Sequence, residues 1–136
     1  MKFLSTNGRL HALDIRPSKW PRRSEVDCKS NLQWTVSQQL DKFFQKDVIL
    51  EEFHIPGENL YIDFFLPRKR IAVEVHGAQH YCYSEFFHGS KELFRQSQER
   101  DRRKKAWCEL NNIKYIEIRF DDNEEEILNK LKLTYE

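Results

Sequence analysis

The sequence predicts an α/β domain with a mixed central β-sheet flanked by helices, in the order α-β-β-β-α-β-α. Three observations carry this. Apolar residues recur at Leu32, Val36, Leu40, Phe43 and Phe44, the spacing of a helix with one buried face; three β-rich segments follow in close succession; and a long helix-forming stretch then leads straight into another strong strand.

Taken in order, the first 30 residues carry seven Lys or Arg against three acids, place Pro17 and Pro21 around Trp20, and show no clear period. They read as a basic arm over 1–29, ahead of a single domain over 30–136. The first helix runs from 31 to 46, with Ser30 or Asn31 as its N-cap. Strands are predicted at 48–53, 60–66 and 70–76, separated by turns at Pro56-Gly57 and Pro67-Arg68-Lys69, an antiparallel meander. Residues 77–90 hold Gly77, Gly89, two His and four aromatics without any period, so a long loop is expected over one end of the sheet. A helix over 91–111 precedes the strand 113–120, whose Ile and Tyr content is β-prone. An α-to-β connection at that point argues for a mixed sheet. The acidic run 121–126 reads as a helix start, with Asp122 or Asn123 as cap and first-turn glutamates suited to the helix dipole.

A chain of 136 residues, 39% hydrophobic and 33% charged, with ten Phe and only four Gly, is expected to fold as one globular domain. The net charge of +1 points to no polyanionic partner by itself, so any nucleic-acid argument rests on local clusters. No apolar run approaches the roughly 20 residues of a membrane span, and the start lacks a signal-peptide core, so an intracellular, cytoplasmic location without membrane is expected. Cys28, Cys82 and Cys108 form no Cys-x-x-Cys pair, and reduced thiols are expected.

The chemistry concentrates in Tyr61-Ile-Asp-Phe-Phe-Leu-Pro-Arg-Lys-Arg-Ile-Ala-Val-Glu-Val-His76, where two acids interrupt two apolar strands. A carboxylate inside a buried strand costs several kcal/mol unless it is paired, and a cation shared by Asp63 and Glu74 supplies the pairing. Oxygen ligands of this kind suit magnesium. The plain alternative pairs Asp63 with an arginine such as Arg70 and leaves Glu74 on an exposed face. His76 lies one strand step from Glu74 on the same face, with His80 just beyond, so two acids and two proton-transferring groups converge. Zinc held by His76, His80, His88 and Cys82, with Cys108 as a further candidate, is a second reading of the same stretch. In Gln98-Glu-Arg-Asp-Arg-Arg-Lys-Lys105, helical spacing puts Phe94, Asp101 and Cys108 in one stripe and turns the basic residues elsewhere, while Trp107 and Leu110 fall on another side. Arg100, Arg102, Arg103 and Lys104, together with Arg68, Arg70, Arg22 and Arg23, are candidate contacts to DNA phosphates.

With these residues in place, the chain from about 30 to 122 resembles the PD-(D/E)XK, or restriction-endonuclease-like, nucleases. Within them it is similar to the very-short-patch-repair branch and its related phage and homing endonucleases. The resemblance rests on Asp63, Glu74, His76-Gly77, His80, the Glu-Arg-Asp-Arg-Arg segment at 99–103 and the closing Ile116-Glu-Ile-Arg-Phe120. It implies a DNA endonuclease dependent on magnesium, with manganese able to substitute, acting as monomer or homodimer in a bacterial or phage-infected cell. Asp63, Glu74 and the Val75 carbonyl would hold the metal. His76 or His80 would take a proton, and Asp101 would orient this network. Two positions depart from the pattern: His76 stands where such nucleases usually carry a lysine, and helix 31–46 has Gln33, Gln38 and Gln39 but no glutamate. The competing expectation is a catalytically silent nucleic-acid-binding protein of the same fold.

Overall fold

The computed structural model describes residues 1–84 and 89–132. Its centre is a four-stranded mixed sheet in the order β3 (Leu50–His54), β4 (Tyr61–Leu66), β5 (Ile71–His76) and β6 (Lys114–Arg119). The first three strands form the antiparallel meander, and β6 runs parallel to β5 after a crossover through α2 (Lys91–Leu110). Helices α1 (Asn31–Phe43) and α3 (Glu124–Lys132) complete the predicted order.

Each helix starts where a side chain satisfies an orphan N–H. Ser30 Oγ accepts from Gln33 N–H, Ser90 Oγ from Leu93 N–H, and Asn123 Oδ1 from Glu126 N–H. In α3 the acids Glu124, Glu125 and Glu126 occupy the first turn, and Lys130 and Lys132 the last, matching the dipole. The sheet is covered on both faces. Val36, Leu40, Ile127 and Leu131 from α1 and α3 pack with Phe64, Val73 and Ile118. On the other face Trp107 and Cys108 of α2 pack with Phe53, Phe65 and Ala72.

Several sequence expectations shift. The segment read as an arm includes a two-stranded hairpin, β1 (Lys2–Leu4) and β2 (Leu10–Ala12). Its Phe3 is wholly buried, with ring centroids 5.4 Å from Trp107 and 6.0 Å from Phe65. Strands of three residues are too short to show a period, so the buried side was not legible. Asn111 fixes β1 by accepting from Leu4 N–H at 2.7 Å and donating to Leu4 O at 2.9 Å, as a neighbouring strand would. In α2, Trp107 is the buried anchor while Leu110 is exposed. The loop after β5 begins with a single 3-10 turn, Ala78–His80. Glu85–His88 lie outside the described residues, and with them His88, the remaining histidine of the zinc reading.

The hairpin is also pinned by Glu58 in the β3–β4 turn, which accepts from the Thr6 N–H and hydroxyl and from Arg103 at 3.0 Å. Burial works against its charge, but the Thr6 bonds and Arg103 outweigh burial and hold the carboxyl below its usual value of 4.5. A depressed folded pKa stabilises above the unfolded value and is lost as pH falls through the folded one. Glu58→Gln should therefore flatten the acid limb of the stability curve below about pH 4.5 and leave its slope at neutral pH unchanged, as read by urea unfolding across pH.

Candidate active site

The site forms where β4 and β5 part. Their ladder ends at Phe64↔Val73, although β4 begins at Tyr61 and β5 continues to His76. In the gap the Asp63 carboxylate takes the place of a strand partner, accepting from Val75 N–H at 2.8 Å. Glu74 stands across from it, and the parallel register then sets Glu117 of β6 beside Glu74. Asp63 is 6% exposed and Glu74 1%. Like charges on neighbouring strands repel, and the chain answers with lysines. Lys29 Nζ lies 3.4 Å from Asp63 and 3.0 Å from Glu52, while Lys104 Nζ lies 3.3 Å from Glu74 Oε1.

This arrangement answers the plain alternative. Arg70 does not pair with Asp63; its guanidinium donates to the Asn111 and Asn112 carbonyls at the C-terminal end of α2. Glu74 is buried rather than exposed, and its Oε1 accepts no hydrogen bond among the described residues. Burial, and then the Asp63 charge, push the Glu74 carboxyl well above its usual range against the pull of Lys104.

At the end of β5, His76 and His80 stack with rings 5° from parallel and centroids 4.0 Å apart. His80 Nδ1 lies 2.9 Å from Asp101 Oδ2, and His76 Nε2 3.9 Å from both Glu74 Oε2 and Asp101 Oδ1. Burial, then the neighbouring His80 charge, push the His76 pKa down against Asp101 and Glu117. In Asp101 burial is outweighed by the His80 hydrogen bond and the two imidazoles, which hold the carboxyl below its usual value. A cleft of about 460 Å³ lined by Lys29, Gln33, Asp63, Glu74, His80 and Lys104 gives access to the carboxylates.

Of the basic residues singled out, Arg100, Arg102 and Lys104 line the clefts at the site. Arg102 is exposed and paired within α2 to Glu99 at 2.6 Å. Arg103 binds Glu58. Arg22 is committed to structure: it bonds Asp41 at 2.7 Å, the Ser37 carbonyl at 3.0 Å and the Ser37 hydroxyl, so few donors remain for phosphate. Arg23 donates to the Asp27 carbonyl beside a second cleft that Lys19 and Glu51 also line. Arg68 and Arg70 sit in the β4–β5 turn, at the far end of β5 from His76, about 20 Å from it for Arg70 at a strand rise of ~3.3 Å per residue.

Sequence reasoning passed over Lys29, Glu52 and Glu117. Two adjacent acids, Glu51-Glu52, inside an apolar strand were the available signal for Glu52. It adopts φ +54° between the pairs Glu51↔Phe64 and Phe53↔Ile62, a left-handed backbone that costs a non-glycine residue about 1–3 kcal/mol and that clusters at functional sites. Glu117 becomes visible only once the β5–β6 register is known. In the zinc reading, Cys108 is buried with its thiol pushed up to about 12 by burial and by Glu74, and Cys82 is exposed.

Three viral proteins are similar in sequence. "Uncharacterized protein 033L" of Invertebrate iridescent virus 3 is 36% identical over 96 residues, covering 71% of this chain and 48% of that protein. "Uncharacterized protein 307L" of Invertebrate iridescent virus 6 is 42% identical over 76 residues, 54% of this chain and 39% of its own length. "Uncharacterized protein 094L" of Frog virus 3 (isolate Goorha) is 29% identical over 97 residues, 71% of this chain and 61% of its own. The chain thus spans about half the length of these curated relatives. No protein-family model matches the chain, and no solved structure matches it. Among the described residues, no helix is long and apolar enough to cross a membrane.

The buried Glu74 leads to a prediction. A carboxyl whose folded pKa is raised favours folding most below its unfolded pKa, and that contribution is lost as pH rises through the folded value. Glu74→Gln should therefore change the stability of the metal-free protein more favourably at pH 8 than at pH 5. Lys104, partly exposed, can turn to solvent when its partner is neutral. Urea midpoints at the two pH values check this; a change less favourable at pH 8 than at pH 5 would show that Glu74 is a needed anion rather than a strained one.

Proposed function

We propose that the protein is a divalent-metal-dependent DNA endonuclease of the restriction-endonuclease-like type, hydrolysing phosphodiester bonds by nicking or double-strand cleavage. The observation that carries this reading is the pair of buried carboxylates, Asp63 and Glu74, meeting at the parting of β4 and β5 on a cleft that also holds Lys104 and His80. The mixed four-stranded sheet with its β5–α2–β6 crossover supports this reading at the level of an α/β fold.

The residues fit a hard cation. Among the described residues the buried Glu74 Oε1 accepts no hydrogen bond and has only the ion pair with Lys104 at 3.3 Å, and Asp63 adds a second carboxylate on the next strand, an all-oxygen donor set of the kind magnesium and manganese take. By the resemblance, the Val75 carbonyl would add a third oxygen. An ion held there would supply polarisation of the scissile phosphate and a lowered pKa for an attacking water. Asp63 and Glu74 position that chemistry at the cleft. His76 or His80 takes the proton, and Asp101, 2.9 Å from His80, holds the second imidazole in place. Lys104, which reaches Glu74 from α2, brings a positive charge to a site whose strand position 76 is histidine. Arg100 at the cleft edge would contact the DNA backbone. DNA as the partner, a monomeric or homodimeric state and an intracellular location belong to the same proposal.

A catalytically silent nucleic-acid-binding protein is the second reading, favoured by Lys29 and Lys104, which already neutralise the carboxylates from within the chain. Conversion of supercoiled plasmid to nicked or linear DNA, with and without magnesium or manganese, in the wild type and in Asp63→Ala, separates the two.

A further inference from the structure

The stacked histidines carry more than proton transfer. Among the described residues, His76, His80 and Asp101 offer ligand atoms that all lie within 4.8 Å of one another. They arrive from three elements: the end of β5, the 3-10 turn and α2. The spacings suit a small ion. Tetrahedral zinc with bonds of about 2.0–2.1 Å sets its ligands roughly 3.3 Å apart; His80 Nδ1 lies 2.9 Å from Asp101 Oδ2 and His76 Nε2 3.9 Å from Asp101 Oδ1, and because the parallel imidazoles hold their lone pairs in separate planes, one ring turns out of the stack to share an ion.

The surroundings orient a ligand as well. His76 Nδ1 lies 3.2 Å from Glu117 Oε1, so an Nδ1–H donated there leaves the Nε2 lone pair toward the Tyr115 hydroxyl at 3.4 Å, with Glu74 Oε2 and Asp101 Oδ1 each at 3.9 Å, and an ion bound there displaces the Tyr115 contact. Glu117 is itself held by the Tyr81 hydroxyl at 2.5 Å and by Lys105 at 3.7 Å. A carboxylate behind a ligating imidazole is the usual support of a metal-bound histidine. A separate cleft of about 230 Å³, lined by His76, His80, Asp101 and Glu117, opens on this side.

We propose that His76, His80 and Asp101 form a site for a zinc-class divalent ion, distinct from the oxygen-donor pair Asp63–Glu74, and that an ion held there opposes magnesium-dependent cleavage. Two imidazoles and one carboxylate select a borderline transition metal, while Asp63 and Glu74 select a hard one, so the two sites divide by ligand softness. Three protein ligands leave one position open. Zinc coordination occupies the imidazole lone pairs that proton transfer needs. That inhibitory consequence rests on the nuclease reading; the binding site does not.

The experiment is calorimetric titration of the full chain with zinc chloride, alongside His80→Ala, Glu117→Gln and Asp63→Asn. One zinc equivalent is expected in the wild type and in Asp63→Asn. Affinity should fall by at least ~100-fold in His80→Ala and by about 10–100-fold in Glu117→Gln, whose oriented imidazole is lost without loss of a ligand. Zinc X-ray absorption should give a nitrogen and oxygen shell near ~2.0–2.1 Å with imidazole scattering, whereas sulfur near ~2.3 Å would overturn the ligand set. Zinc bound equally well by His80→Ala, or lost in Asp63→Asn, would overturn the site. Plasmid cleavage in magnesium with added zinc then tests the inhibition. Cleavage undiminished by bound zinc overturns that part alone, while zinc binding with no cleavage under any metal leaves the site standing and removes the nuclease reading.

Discussion

Asp63→Ala should abolish metal-dependent cleavage of supercoiled plasmid, lowering the rate on the order of a thousand-fold, the scale on which removing a preorganised charge-stabilising group acts. Binding of the same DNA should persist, because the substitution leaves the basic residues of α2 in place. The variant also removes the acceptor for Val75 N–H and one partner of Lys29, so Asp63→Asn, which keeps an oxygen for the N–H, guards against a merely folding-related loss. Cleavage retained in both variants would sink the assignment of Asp63. A wild type that binds DNA but cuts it under no metal would favour the silent reading.

Phe3→Ala should cost about 3–5 kcal/mol, the range for deleting a fully buried aromatic side chain. The ring lies within 6.3 Å, centroid to centroid, of Phe53, Phe65 and Trp107, the aromatic centre beneath α2. With a urea m-value of about 1–3 kcal/mol/M, the midpoint should fall by at least ~1 M. A change under ~0.5 kcal/mol, the scale of a surface substitution, would favour residues 1–29 as an appended arm. The result bears on function, because the same hairpin is tied through Glu58 to Arg103 of α2, the helix that carries Asp101 and Lys104 into the site.

Elements with a strong local period were readable in advance. The α1 stripe at Val36 and Leu40, the strands around Asp63 and Glu74, and the β6 run at Ile116 and Ile118 all fall where the pattern put them, because burial of one face writes a 3.6- or 2-residue period into the chain. The ends moved by a few residues, as with α1 stopping at Phe43 rather than 46, where local signals compete weakly. The hairpin at 2–12 was missed because three-residue strands give too few alternations.

The sequence by itself determined which chemistry-bearing residues exist and that Asp63, Glu74 and His76 fall in two neighbouring apolar strands, where an unpaired charge is most costly to bury. Pairing across strands and helices was decided only by the tertiary structure. The parting of β4 and β5 aimed Asp63 at Val75 N–H, the parallel register set Glu117 beside Glu74, and α2 delivered Asp101 to His80. Arg22 and Arg70, equally basic in the sequence, were drawn into structural bonds. The physical reason is that a charge's role depends on which partner reaches it first within a few ångströms, and that distance is a property of the packed chain.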